Sequence, residues 1–298
     1  MNIDTAPQGQ TPLTDPFPPV PRWARLDRAE TVEDAAFSSG AALAHLGPAL
    51  AHPGVPAELL RARFALRAAE AGVGLGGRPV RAAELRDTVA FLHAGDSPGP
   101  AGEIYLAWRK AVARGPGAVA LQRALPGFDV PELSALCDPG EGSPIRHAAA
   151  VLRAVLAAHP RQEWAALLLA DAALARGLGW PQLLPLLSLG LRRADLRLDE
   201  AAQTLACHRA IIRQVPGVLG EAGTLLRRAA RLETVAPKLR AKGAGEAVAL
   251  ILREEAISPA ALTMLRSDRA ARRFCDRLVS LDALRELTGR DTFRLYGL

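Results

Sequence analysis

Aromatic residues are scarce in this sequence, 4% of 298 positions, and β-branched residues are thinly spread. A large β-sheet protein draws heavily on both, so that class is excluded. Cysteine occurs three times, at Cys137, Cys207 and Cys275, an odd number with no CxxC pair. That excludes a disulfide framework and fits free, mostly buried thiols in a reducing cytosol, so a cytoplasmic protein is expected. No apolar run approaches the ~20 residues of a membrane helix. The longest, Trp164 to Ala170, is cut by Asp171. The first ten residues, MNIDTAPQGQ, have no basic stretch and no apolar core, which argues against a signal peptide. Lysine is nearly missing: three lysines stand against 34 arginines, as a GC-rich genome would give.

What is present is apolar and small. Hydrophobic residues make up 49% of the chain, and alanine alone about a fifth. Helices packed through small side chains follow from that composition. Net charge is +6, and its distribution is uneven. Residues 1–221 carry 22 basic and 22 acidic groups, whereas residues 222–298 carry 15 and 9. Codon bias explains arginine over lysine but not this skew. A localised basic surface favours phosphate-bearing partners.

Six prolines fall within residues 1–22, which predicts an extended, mobile tail over 1–24. From Thr31 the pattern turns helical. Ala36, Phe37, Ala41, Leu43, Ala44 and Leu50 recur at helix spacing, and a second helix over 56–73 turns Leu59, Leu60, Phe64, Leu66 and Ala69 inward. Further helices are predicted over 81–93, 101–114, 117–125, 131–137, 144–159, 162–176, 180–191, 198–214 and 218–235. No segment alternates like a half-buried strand, so residues 25–235 are expected to form an all-α domain. Residues 40–79 and 142–181 share Gly, His, Leu, Leu, Gly and Pro at an offset of 102, a hint of duplicated helical hairpins.

After Pro237 the grammar changes, and residues 236–298 are expected to form a separate domain. Lys238 to Gly243, Arg240 included, is a basic linker, and Ala244 to Arg253 is helical. Ser258-Pro259 starts a short helix ending near Leu265. Ser267 caps the next helix, 268–281, whose Ala271, Phe274, Leu278 and Leu281 form the buried stripe while Arg269, Arg272, Arg273 and Asp276 lie opposite. Residues 284–287 and 292–296 alternate around Thr288-Gly289-Arg290-Asp291, the signal of a β-hairpin. Helices followed by a hairpin read as a winged helix. A capped helix with free arginines can enter a major groove, where arginine reads guanine, and hairpin arginines can hold the backbone. The expected DNA contacts are therefore Ser267, Arg269, Arg272, Arg273, Arg290 and Arg294.

This tail resembles the winged helix at the C-terminus of many bacterial Fic-type proteins and regulators. Asp282 stands where that pattern has glycine, at a position needing a left-handed residue. The Fic motif, His-x-Phe-x-Asp-Gly-Asn, is absent. A wider resemblance runs through Ala35-Ala36-Phe37-x-x-Gly40-Ala41-Ala42-Leu43, Asp96-x-Pro98-Gly99-Pro100-Ala101-Gly102, residues 236–243, Ser267 to Arg273 and Phe293 to Gly297. On these the chain resembles an alphaproteobacterial family of unknown function, of the domain-of-unknown-function type, with a C-terminal helix-turn-helix or winged-helix tail. The tail is also similar to that of rhizobial plasmid-borne proteins with a helix-turn-helix. What the resemblance implies is a DNA-binding tail and no known activity for the body.

Catalytic patterns do not assemble. Lys242-Gly243-Ala244-Gly245-Glu246 opens a helix but lacks the spacing of a nucleotide loop. His93, Asp96 and Glu103 flank a Gly/Pro loop without making a metal or acid–base set. Cys207 and His208 are adjacent on a helix and diverge by roughly 100°. The expectation is a mainly all-α, non-enzymatic DNA-binding protein, a transcriptional or mobile-element-associated regulator, without cofactor or metal. Its helical body would be scaffold, homo-oligomer surface or sensor, with no membrane partner. The alternative is an interaction or scaffold protein whose winged helix contacts another protein.

Overall fold

A computed structural model describes residues 16–298 except Asp27, Ala94, 139–141, Arg240 and Asp291. Residues 1–15 of the expected tail, Arg240 of the basic linker and Asp291 of the hairpin turn therefore lie outside the described residues. Among those described, twelve α-helices and one two-stranded sheet account for the regular structure, so the chain is mainly helical. The helices are α1 (Val32–Leu50), α2 (Ala57–Leu75), α3 (Ala82–Ala90), α4 (Gly99–Ala113), α5 (Ala118–Ala124), α6 (Val130–Cys137), α7 (Pro144–Ala158), α8 (Glu163–Gly177), α9 (Leu187–Gly190), α10 (Glu200–Val235), α11 (Ala244–Ile251) and α12 (Asp268–Ser280). The strands are β1 (Arg285–Glu286) and β2 (Tyr296–Gly297).

α8 sits at the centre. Every residue from Ala165 to Ala175 is buried, as expected of a helix apolar all round. The exception in polarity is Asp171. Its carboxylate accepts the amides of Leu186, Leu187 and Ser188 at 2.8–3.0 Å and the Ser188 hydroxyl at 2.6 Å. Burial pushes this carboxyl up to about 6, against the pull of those four bonds. The same contacts correct the helix expected over 180–191. Pro185 biases Leu184 towards extended backbone, and only Leu187–Gly190 is helical, its first amides held by Asp171.

α1 packs on α10, α2 on α4, and α7 on α8. The duplicated segments therefore do not form equivalent hairpins, although Gly77 and Gly179 both end their helices with positive φ. The two helices expected over 198–214 and 218–235 are one helix of 36 residues passing through Pro216. Proline removes a single amide donor, and buried Ile211, Ile212, Val215, Val218 and Leu219 hold the turns on either side. α1 is rotated from the expected stripe. Ala35, Ser38, Ser39, Ala42 and Leu46 face inward, while Phe37 is 65% exposed and stacks on Trp23. Residues 16–24, expected to be mobile, lie against the body: Phe17 and Val20 are buried, and His45 Nε2 meets the Pro18 carbonyl at 2.7 Å.

The last quarter continues from α10 through a 3-10 turn, Ala236–Leu239, into α11. Gly243 precedes α11 with φ 87°, and a Cβ there would stand 2.5 Å from the Met264 carbonyl oxygen. Only glycine fits that approach, so this glycine is structural. The short helix expected over 258–265 is a single 3-10 turn, Pro259–Ala261, followed by turns. The expected hairpin has only two-residue strands, in register Arg285 with Gly297 and Glu286 with Tyr296. Ile257 pairs with the other edge of Tyr296, exchanging both backbone bonds at 2.9 Å. One apolar cluster runs unbroken from the body through Ile251, Phe274 and Leu278 to Leu298.

Candidate nucleic-acid interface

α12 begins at Ser267, whose Oγ accepts the Ala270 amide at 3.3 Å. Ala271, Phe274, Cys275 and Leu278 are buried, and Arg269, Arg272, Arg273, Asp276 and Arg277 are exposed. The predicted orientation of the helix therefore holds, except that Leu281 is only half-buried. Asp282 follows with φ 51°, the left-handed conformation expected at this position. The Ala283 amide donates to the Leu278 carbonyl at 2.9 Å and closes the helix end.

The six expected contact residues divide into two groups. Arg269, Arg272 and Arg273 make no ion pair or side-chain hydrogen bond among the described residues. The other three are engaged within the chain. Ser267 caps α12. Arg290 lies 3.8 Å from Asp87 on α3. Arg294 donates to the Arg290 carbonyl at 3.0 Å and pairs with Asp276 at 3.7 Å. Asp276 also accepts the Tyr296 hydroxyl at 3.0 Å, tying the β2 strand to α12.

Between α12, the loop leading into β2, and residues 90–93 of the body lies a cleft of about 690 Å³. Phe91, Arg272, Asp276, Phe293 and Arg294 line it. Phe293 is 72% exposed, has φ 56°, and meets Phe91 edge to face at 5.8 Å.

The contacts that fix this tail on the body lie outside the motifs weighed above. Arg63 of α2 is half-buried and donates to Glu221 at 2.7 Å, to Glu255 at 2.8 Å and to the Leu298 carbonyl at 2.8 Å. Arg67, one turn on, donates to Glu221 at 2.6 Å. Burial raises the Glu221 carboxyl, but the two guanidinium groups outweigh it and hold the group below its ordinary value. Burial wins at Glu255, which is pushed up despite Arg63. Arg86 donates to the Leu287 carbonyl at 3.1 Å, Arg109 to Glu254 at 3.0 Å, and Arg231 to the Leu281 carbonyl at 2.8 Å. The arginine pair at i and i+4 on α2 was the only available signal, and its acidic partners are more than 150 residues away.

Elsewhere the weighed constellations stay apart. His93 and Asp96 are exposed and face each other at 3.4 Å. His208 is buried with Nδ1 2.7 Å from Ser39 Oγ, and burial lowers its imidazole below the ordinary value. No group of three or more His, Cys, Asp or Glu residues that could hold a metal occurs among the described residues. No helix among them is long and apolar enough to cross a membrane.

A family model described as "Protein of unknown function (DUF1403)" matches residues 10–298, and the chain belongs to that family. No curated protein matches it.

Proposed function

We propose that this member of the family is a DNA-binding protein and that residues 236–298 act as a winged helix, in a regulator of transcription or of a mobile element. The observation that carries the reading is α12 itself: three arginines without partners among the described residues, on the face opposite a buried stripe. Topology supports it. Helix α11, the Ile257 bridge, a 3-10 turn, α12 and the β1–β2 pair follow in that order, with Tyr296 between Ile257 and Glu286. That order supports the winged-helix reading, in which the connection between β1 and β2 would be the wing. The skewed charge supports it too, since 15 of the 37 basic groups fall in residues 222–298. The alphaproteobacterial and plasmid-borne resemblance of the tail points to the same use, in the cytoplasm. Arg269, Arg272 and Arg273 make the principal contacts. Arg290 and Arg294 shape the wing and reach phosphate only at its edge.

Fluorescence anisotropy with a labelled duplex tests this. Affinity falls steeply with salt, because bound phosphates release counterions. Arg272→Ala with Arg273→Ala weakens binding tenfold or more, at ~1–3 kcal/mol per contact. Arg123→Ala with Arg161→Ala, also exposed but on the body, has far less effect. Equal affinity of the two double variants, or no binding at about 50 mM salt, sinks the reading. The non-enzymatic protein-contact reading, in which the exposed helix meets another protein, then takes its place.

A further inference from the structure

Resting on the DNA reading, we infer that the cleft beside α12 receives one unpaired DNA base, so that the chain prefers a fork with unpaired bases to a continuous duplex. Phe293 motivates this first. A bulky residue at φ 56° is strained, and a ring left 72% exposed gains little from folding. Both features work against stability, and such outliers point to function. The edge-to-face contact with Phe91 fixes the ring and leaves a face free for stacking.

The polar lining supplies the second argument. Arg272 and Arg294 bring donors to the cleft, and Asp268 and Asp276 bring acceptors. A phosphate would meet repulsion from the two carboxylates. A base edge offers donors and acceptors together and suits both kinds of group. The phosphates are better placed outside the cleft, against Arg269 and Arg273 on the exposed side of α12. At about 690 Å³ the cleft lies within the ordinary range for small-molecule sites, about 300–1,000 Å³.

Its walls are held in place before anything binds. Arg86 grips the Leu287 carbonyl, Arg290 reaches Asp87, and the Tyr296 hydroxyl bonds Asp276. A base inside a duplex is stacked on both faces and paired along its edge, so only an unpaired one can enter. The body, through Phe91 and Asp87, thereby becomes part of the DNA site.

The test compares one duplex with the same duplex opened into a short fork, by anisotropy on the full chain. The fork binds about tenfold tighter, within the range of one base–aromatic stack. Phe293→Ala, and separately Phe293→Gly, which the left-handed backbone favours, bring the fork-to-duplex ratio towards one. A 2-aminopurine in the fork arm is quenched by the natural chain and not by either variant. Equal wild-type affinity for fork and duplex, or a fork preference that survives both substitutions, overturns the inference and leaves the DNA reading standing. Failure to bind either DNA overturns both.

Discussion

Glu221 shows how much one carboxylate can carry here. It accepts from Arg63 and Arg67, and side-chain exposure at the Arg63–Glu221 pair is 13% and 15%. Glu221→Gln removes the charge and leaves Glu255 as the one carboxylate on Arg63, at a cost of about 1.5–3 kcal/mol at neutral pH. Because the folded state lowers this carboxyl's pKa, the contribution is complete above the ordinary carboxylate value. It is lost as pH falls through the lowered one. Urea midpoints of the two proteins should therefore differ clearly at pH 7 and converge as pH falls through the lowered value. Asp282 makes the opposite case. Its left-handed backbone strains a side chain whose ion pair among the described residues, with Arg231 at 3.9 Å, is exposed. Asp282→Gly should raise stability by about 0.5–1 kcal/mol, read as a higher urea midpoint. The need for a left-handed residue there was legible in the sequence. The role of Glu221 was not, because nothing local marks a carboxylate whose partners lie on another helix.

Among the elements, those with large apolar residues at one spacing were readable. α2 turns in Leu59, Leu60, Phe64 and Leu66 as expected, and α12 does the same with Phe274 and Leu278. α1 was misread because alanine occurs all round it, so burial is decided by its partner α10 and not by its own pattern. α10 was read as two helices because Pro216 and Gly217 look like a break. Its continuity comes from packing against α1, α7 and α9, which no local pattern shows. Gly217 and Gly220 lie on the exposed side of α10, and a Cβ at either meets nothing within 4 Å. Alanine at each should stabilise the helix by about 0.5–1 kcal/mol. Gly190 differs. A Cβ there would stand 2.5 Å from that of Ala210, where α9 crosses α10. Gly190→Ala should cost about 1–3 kcal/mol by overpacking. Thermal melts that move both helices' variants in the same direction would contradict this account.

For the whole molecule, the helical class was legible from composition, whereas the attachment of residues 236–298 was not. The change of pattern after Pro237, and an apolar stripe of its own, suggested a separate domain. In the folded chain it meets the body through one apolar cluster and five arginines, Arg63, Arg86, Arg109, Arg231 and Arg290. Phe274 lies within that cluster at 4% exposure. Phe274→Ala should cost about 3–5 kcal/mol. If the cluster melts as a unit, calorimetry shows the single transition of the full chain moving down intact. A separate low-temperature transition with the main one unchanged would mean that the tail unfolds by itself.

The three buried thiols turn this question into one of timing. Cys137 lies on α6, Cys207 on α10 and Cys275 on α12, and burial pushes all three pKa values up. A thiol that is both enclosed and protonated reacts with an alkylating reagent only after its surroundings open. The chain thus carries a clock in each of three regions, without any label being introduced. Under native conditions with excess reagent, equal rates of mass gain at the three positions would mean that body and tail open together. Faster alkylation of Cys275, with Cys137 and Cys207 keeping pace with each other, would record how often the tail opens while the body stays closed.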